Sequence, residues 1–441
     1  MRAASDGRLK DVGKSACVKR CLKLRLPTAC AELLHRVGAL AQARGTRAFL
    51  VGGPVRDILL GQESPDIDIA VELDARGFGQ ALARELGGRF VYHARFLTGT
   101  VTPGEHQSGL LDHIDVTQTR TEAYSRPAVL PTVKPAGIEQ DLGRRDFTVN
   151  AMALELTPGA FGRLLDPFGG RGDIADRAVR VLHERSFIDD PTRAFRAIRF
   201  AARLGFEIEP RTLALLRDCV RQGYPALLTP ERILYELRLI CAESKVVPIF
   251  EAVLREGLLA SCFGLASILI SPPSFLSALQ RLSRQHARPE LLYIFVLSRL
   301  PLTDRFPITR EEREAAAAVR DAGRIRSRLL RAGRLSTVYR VISELPVPAR
   351  ELLAMLEPDP VGRMIRQCLD RLQSVRVVTT GSDFRRLGLA PGPAYRRILD
   401  KLLFARLDGI VLSDADEARL ARSLVRRALV APSPSPKSSH G

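Results

Sequence analysis

The stretch FLVGGPVRDILLGQESPDIDIAVE, Phe49 to Glu72, decides how the first part of this chain folds. Asp66 and Asp68 stand thirteen and fifteen residues after Gly53. In a strand successive side chains alternate faces, so Ile67, Ile69 and Val71 are expected to enter a core while the two aspartates stand together on the other side. Two carboxylates on one face make half a cage for Mg²⁺. The residues before them read as a strand over Ala48 to Val51, a glycine turn, and a short amphipathic helix carrying Arg56 and Asp57. Gly52 and Gly53 let the backbone approach a polyanion closely, and the amides at the helix start face the same ligand. A phosphate cradle is therefore expected beside a metal site.

Each piece also has a plainer reading. Asp-x-Asp is ordinary on a solvated strand face, and Gly-Gly after a strand is often only a turn. The segment matches neither GxGxxG nor GxxxxGK[ST], so dinucleotide and Walker sites are not supported. His113-Ile114-Asp115-Val116-Thr117 tips the balance, because this alternating run could pair with the first strand and add a third carboxylate, Asp115. Three acids on adjoining strands beside a glycine loop point to two-metal nucleotidyl transfer, in which one ion activates a hydroxyl and the other steadies a leaving pyrophosphate.

Composition bounds the partners. The 441 residues allow roughly two to four domains. Lys and Arg number 67 against 49 Asp and Glu, a net charge of +18 that implies an acidic partner, RNA being the economical choice. An arginine-rich coding bias is the competing explanation. Trp is absent, so no stacking platform for single-stranded bases is advertised. The seven cysteines lack Cys-x-x-Cys spacing and a matching His pattern, so no zinc is expected and the thiols read as core residues in a reducing cytoplasm. No apolar run approaches a membrane span. Residues 1–25 form a basic arm, expected to be flexible, and Ala431 to Gly441 is a Pro/Ser-rich tail expected to be disordered.

Along the chain, Thr28 to Arg44 reads as a helix, strands dominate through Val116, and a helix lies near Gly77 to Leu86. Thr117 to Leu142 contains Arg120, Glu122, Tyr124, Arg126 and several prolines and reads as a long loop. Arg144 to Ala151 (RRDFTVNA) is expected to begin a last strand or helix of that region, its Asn150 holding the turn or a sugar hydroxyl. Asp166-Pro167-Phe168-Gly169-Gly170 then breaks the chain. Asp190 and Pro191 suit the N-cap and first turn of a helix through Ala202. Phe195, Ile198 and Ala202 share one stripe of it, Asp190, Arg193 and Arg196 lie on the other side, and Phe200 departs from the pattern. Spacing alone makes Asp190 a cap and the arginines a solvated face. From Pro210 onward helices are expected, among them Glu231 to Ala242, Ile249 to Leu259 and Glu311 to Leu330.

GGPVRDILLG, DID, RRDFTVNAMAL, DPFGGRGDI and DDPTRAFRAIRFAARLGF, in this order between Phe49 and Phe206, resemble the class II tRNA nucleotidyltransferases and the similar bacterial poly(A) polymerases. TGSDFRRLGLAPGPAYRRIL, near the C-terminus, is similar to the tail segment of CCA-adding enzymes. The resemblance implies an α+β fold: a nucleotidyltransferase head of polymerase-β type over 26–165, then a helical neck (166–245), body (246–375) and tail (376–430). It implies catalytic Asp66, Asp68 and Asp115, with Mg²⁺ on Asp66 and Asp68. Gly52, Gly53, Arg56 and Arg145 would contact the nucleotide. Asp190 and Arg193 would read the base edge of CTP and ATP, supported by Arg196 and Arg199; Asp189 replaces the family's usual Glu. The region after Val116 would hold the mobile loop that switches between C and A, here not obviously shortened. The partner implied is tRNA, gripped at its acceptor and T arms by basic helices. Poly(A) synthesis, A-only or CC-only addition, and a catalytically silent RNA-binding protein are the alternatives. Nothing in the sequence sets an oligomeric state.

Overall fold

A computed structural model describes residues 28–62, 66–104, 112–264 and 272–430. The basic arm and the Pro/Ser-rich tail lie outside them. The chain divides into two compact units, Met1–Ala266 and Ser267–Gly441, so the division falls within the segment expected as body.

The first unit opens with helix α1 (Thr28–Ala43), then β1 (Ala48–Val51), α2 (Gly53–Leu60), β2 (Asp68–Val71), α3 (Ala75–Glu85), β3 (Arg89–His93), β4 (Thr98–Thr102) and β5 (Ile114–Gln118). A hairpin of β6 (Arg120–Ala123) and β7 (Thr132–Pro135) follows, then α4 (Ile138–Gly143), β8 (Ala153–Glu155) and β9 (Leu164–Leu165). The main sheet runs β3-β4-β5-β2-β1-β8-β9, antiparallel except for the β2–β5 pair. Its register sets Asp68 directly beside Asp115, so the third acid is supplied by pairing with β2 rather than with β1.

Both faces of the sheet are covered. Ile67, Ile69 and Val71 enter one core with Leu50, Phe78 and the apolar side of α1, as alternation requires. Ala70, on the aspartate side, joins Phe49, Val51, Ile138, Leu142, Ala151 and Ala153 in a second core. Asp68 thus stands at the open end of a sealed face, not on a wet strand. Fully buried side chains such as Phe49 and Phe78 each stabilise the fold by about 1.5–3 kcal/mol through loss of apolar surface to water.

Three expectations are corrected here. Thr117 to Leu142 is not a loop: it forms the β6–β7 hairpin and α4, because the two strands pair their backbones across the ribbon, Glu122 takes Arg120, Tyr124 and Arg144, Asp141 accepts from the Arg120 amide, and the prolines stay at the turn and strand end. Arg144 to Ala151 begins neither strand nor helix directly; it makes a tight turn with a single 3₁₀ turn at Thr148–Asn150 before β8. Asp66 precedes β2 and is exposed; the strand starts at Asp68.

The unit continues with α5 (Gly170–Ala175), β10 (Ala178–Val179), α6 (Ser186–Asp189), α7 (Thr192–Leu204), β11 (Glu207–Ile208), α8 (Pro210–Arg221), α9 (Pro230–Cys241), α10 (Val246–Arg255) and α11 (Leu258–Phe263). Asp166 accepts from the amides of Gly170 and Arg171 and so caps α5. The helix expected over Ile249 to Leu259 is broken at Gly257, whose φ of 73° ends one helix and starts the next.

The second unit is helical: α12 (Pro272–Arg284), α13 (Pro289–Leu297), α14 (Arg310–Arg320), α15 (Ala322–Leu329), α16 (Leu335–Ile342), α17 (Val347–Leu356), α18 (Val361–Ser374), α19 (Gly381–Arg386), α20 (Pro393–Leu407) and α21 (Asp414–Val430). Glu311 to Leu330 is two helices parted at Asp321. Phe384, Ile398, Leu402, Ala421 and Val425 form a core of their own at the C-terminal end. Buried Glu417 ties that end together by accepting from Thr379 N and Oγ1 and from Arg406. Among the described residues the cysteines are free thiols, Cys262 partly buried and the others buried, and no helix is long and apolar enough to cross a membrane.

Candidate active site

A cleft of about 390 Å³ opens in the first unit between the sheet end and α7. Gly52, Gly53, Asp66, Asp68 and Arg145 line one side, and Asp190, Arg193, Arg196 and Phe200 the other. Segments far apart in sequence therefore meet: nine of the eleven residues singled out, Arg56 among them, line this cleft, and Asp115 and Arg199 lie elsewhere. A second cleft, about 320 Å³, shares Asp68 and Arg145 with the first and adds Asp115, Thr100 and Thr117. Asp68 thus stands on the wall common to both.

The glycine turn is built for close approach at one position. Gly52 has φ 75°, and a Cβ there would stand 2.8 Å from Arg145 Nη1 and 3.9 Å from Asp68 Oδ2. A side chain at Gly52 would both strain the backbone and enter the site. Gly53 is less constrained, its added Cβ meeting only Arg56 Nη2 at 3.5 Å. Pro54 lies in the first turn of α2 and supplies no N–H, so the anion cradle has fewer amides than the sequence implied. Arg56 is buried and already held: Nε donates to Asp57 Oδ1 at 2.8 Å and Nη1 to Asn150 Oδ1 at 2.6 Å. It orients the turn more than it offers a free charge.

The acids are unequally supported. Asp115 accepts from Thr100 Oγ1 at 2.8 Å. Asp68 has no hydrogen-bonding side chain among the described residues, and burial, with the charges of Asp115 and Asp66, pushes its carboxyl up to about 6 against the pull of Arg145. Such a carboxylate gains from an added cation. No group of three or more Asp, Glu, His or Cys side chains arranged for a metal occurs among the described residues. A cation here would take Asp66 and Asp68 and complete its shell with water and phosphate oxygens, which fits Mg²⁺ better than a metal needing a full protein cage.

Opposite, the charges compensate each other. Buried Asp146 receives Arg196 Nε at 2.9 Å and Nη2 at 2.5 Å, and Asn150 Nδ2 at 3.0 Å. Burial alone would raise its carboxyl, but Arg196 and Asn150 outweigh it and hold the group down to about 2. Arg145 donates to Asp141, which also takes Arg144; Arg144 in turn reaches Glu122 of β6 at 2.7 Å. The Glu122–Tyr124 pair, joined at 2.9 Å, enters the cleft from the hairpin. Burial, then the Glu122 charge, pushes the Tyr124 hydroxyl well above its ordinary range.

On α7 the solvated-face reading fails. Arg193 is 5% exposed, with Nη1 on Ser186 Oγ and Nη2 on the Arg144 carbonyl, both at 2.7 Å. Phe200, which broke the apolar stripe, packs against the guanidinium carbons of Arg56, Arg196 and Arg199 at 5.2–5.3 Å from its ring centre. Arg199 does not reach the cleft; it is buried against Glu236 and Glu243 on the far side. Asp190 does cap the helix, since Oδ1 accepts from Thr192 N at 3.0 Å and Thr192 Oγ1 at 2.6 Å. Its Oδ2 takes no hydrogen bond among the described residues. Capping and base reading are thus compatible in one carboxylate.

Sequence reasoning missed Asp146, Glu122, Tyr124, Phe200 and Arg203 as cleft residues. The departure of Phe200 from the stripe was a signal for one of them.

Residues 48–180 match the family described as the poly A polymerase head domain. The A-adding tRNA nucleotidyltransferase of Halalkalibacterium halodurans is 32% identical over 89% of this chain and 92% of its own length. The A-adding enzyme of Geobacter sulfurreducens is 34% identical over 92% of this chain, but the chain spans only about half (48%) of that relative. The CC-adding tRNA nucleotidyltransferase of Deinococcus radiodurans is 34% identical, covering 85% of this chain and 88% of its own. Among solved structures, the Thermotoga maritima CCA-adding enzyme complexed with tRNA superposes with a TM-score of 0.71 at 28% identity, over 93% of this chain and 98% of that one. With this fold and these relatives along almost its whole length, the chain belongs to the tRNA nucleotidyltransferase family.

Proposed function

We propose that this chain is a template-independent tRNA nucleotidyltransferase that adds or repairs the 3′-terminal CCA from CTP and ATP. The observation that carries this reading is that Asp66 and Asp68 share one cleft with Asp190 and Arg193, so a carboxylate pair suited to nucleotidyl transfer faces a donor–acceptor pair suited to a base edge. The nucleotide would lie in the larger cleft and the RNA 3′ end in the adjoining one, with Asp68 at their common wall. Mg²⁺ bound at Asp66 and Asp68 would lower the pKa of the attacking hydroxyl and neutralise charge on the departing pyrophosphate. Arg145, anchored by Asp141, would hold phosphate oxygens near Gly52. Asp190 Oδ2 accepts from the exocyclic amine of cytosine or adenine, and Arg193 donates to the ring nitrogen beside it. Uracil and guanine offer the reverse pattern there, so no nucleic-acid template is required. Arg196, spent on Asp146, keeps that turn in place rather than touching phosphate.

A-only addition is the second reading, favoured by the Geobacter and Halalkalibacterium relatives, both named A-adding. The test supplies tRNA lacking CCA, ending in C, or ending in CC, and an unrelated RNA, with each labelled NTP separately. CMP addition to the first two and AMP addition to the third support full CCA synthesis. AMP addition to the CC-ended tRNA alone supports the second reading, and extension of the unrelated RNA with many AMP units would overturn both.

A further inference from the structure

Asp190 is reached by a residue that does not line the cleft. Arg232, in the first turn of α9, is half-buried. Its Nη2 donates to Asp190 Oδ1 at 2.5 Å, and its Nη1 donates to the carbonyl of Ala128 at 2.9 Å. Ala128 lies in the connection between β6 and β7, is buried, and has φ 61°. That left-handed conformation is costly for a residue with a Cβ and persists only where the surroundings hold it. Here it is held with its carbonyl on Arg232.

The geometry has a mechanical consequence. A guanidinium is a rigid planar fork, so its two bonds cannot move independently. Displacing the Ala128 carbonyl must either break one bond or turn the guanidinium, and with it the carboxylate whose Oδ2 is left for a ligand. Tyr124, on the same hairpin, lines the cleft beside Asp190, so the connection and the base-reading side chain share one wall.

We propose that Arg232 is a positioning residue that ties the β6–β7 connection to Asp190 and sets the angle at which Oδ2 meets a base amine, an inference that rests on the function proposed above. A purely structural role, pinning α9 to α7, predicts loss of stability without change in nucleotide choice. The link predicts that nucleotide choice itself depends on Arg232 and on the Ala128 carbonyl, through one shared path.

The experiment uses the full chain with CC-ended tRNA and with tRNA lacking CCA, measuring kcat/KM for ATP, CTP, UTP and GTP. Arg232→Gln is expected to lower discrimination against UTP about tenfold, the scale of one charge-assisted hydrogen bond, with tRNA affinity unchanged. Ala128→Pro, which cannot adopt φ 61°, should shift selectivity the same way by about threefold. The double variant should lose no more than Arg232→Gln alone, since sites on one path are not additive. Unchanged selectivity in Arg232→Gln, or losses that multiply in the double variant, would overturn the link. Should Arg232→Gln fold poorly, Arg232→Lys keeps the charge beside Asp190 without spanning both acceptors and is expected to lose selectivity too; wild-type selectivity there overturns the proposal. A wild-type chain that extends no tRNA overturns the proposed function itself, whereas an active wild type with an indifferent Arg232→Gln overturns only the link.

Discussion

The two walls of the cleft treat the same residue type in opposite ways. On the sheet side Asp68 is buried beside Asp115 without a hydrogen-bonding side chain among the described residues, and its carboxyl sits up at about 6. On the helix side Asp146 is more deeply buried, yet Arg196 and Asn150 hold it down to about 2. One wall carries its countercharge inside the fold and is rigid on that account; the other leaves charge to be matched from outside. A site that both grips a base and handles phosphates needs both kinds.

The largest expected effect breaks the second kind. Asp66→Ala or Asp68→Ala should reduce kcat/KM for nucleotide addition about a thousandfold or more while tRNA affinity stays within about twofold, because the proposed function gives these acids the chemistry and leaves RNA binding to basic surface elsewhere. Near-normal turnover in either variant, with Mg²⁺ as the sole divalent cation, would remove the head acids from the site. Asp115→Ala should cost less, since Asp115 already has Thr100 as partner.

Next in size is Asp190, where the cap and the proposed base reading fall on one carboxylate. Asp190→Ala is expected to lower selectivity against UTP and GTP by roughly one to two orders of magnitude and to cost about 0.5–2 kcal/mol of stability, because Oδ1 caps α7 while the proposed reading assigns Oδ2 to the base. Steady-state kinetics with all four NTPs and thermal unfolding of one preparation measure both. A melting shift with intact selectivity would leave the cap and dismiss the reader.

The smallest effects sharpen the contrast directly, through pH. Asp146 is depressed in the fold, so its contribution is complete above the unfolded value near 3.8 and is lost as pH falls toward 2; the amount is on the order of 2 kcal/mol. Asp146→Asn should therefore flatten the acid limb of stability below pH 4. Asp68 is raised, so its ionisation penalty is absent below 3.8, grows up to about 6 and is complete above that. At pH 8 without divalent cations, Asp68→Asn should thus be the more stable protein, by about 1–3 kcal/mol. Chemical denaturation of both variants between pH 3 and 8 checks the opposite signs. Two variants shifting the same way would mean that the walls do not differ as described.

Local pattern alone determined a good deal here. Alternation assigned Ile67, Ile69 and Val71 to one core and the aspartates to the other side, and the motifs from Gly52 through Arg193 were legible because strands, glycine turns and helix starts are short-range matters. What the sequence left undecided depended on partners far along the chain. The hairpin after Val116 looked like a loop because Arg120, Glu122 and Tyr124 are polar; Tyr124 and Arg120 do bond Glu122 nearby, but Asp141 on the Arg120 amide and Arg144 on Glu122 come from about twenty residues on. The arginines of α7 looked solvated because their spacing is that of a surface face. Tertiary packing decided otherwise, setting Arg193 on Ser186 and the Arg144 carbonyl, Arg196 on Asp146, and Arg199 on Glu236, away from the cleft. Amphipathic period reports which side of a helix is apolar; it cannot report which charges will find a buried countercharge, since that energy belongs to pairs the chain brings together only when folded.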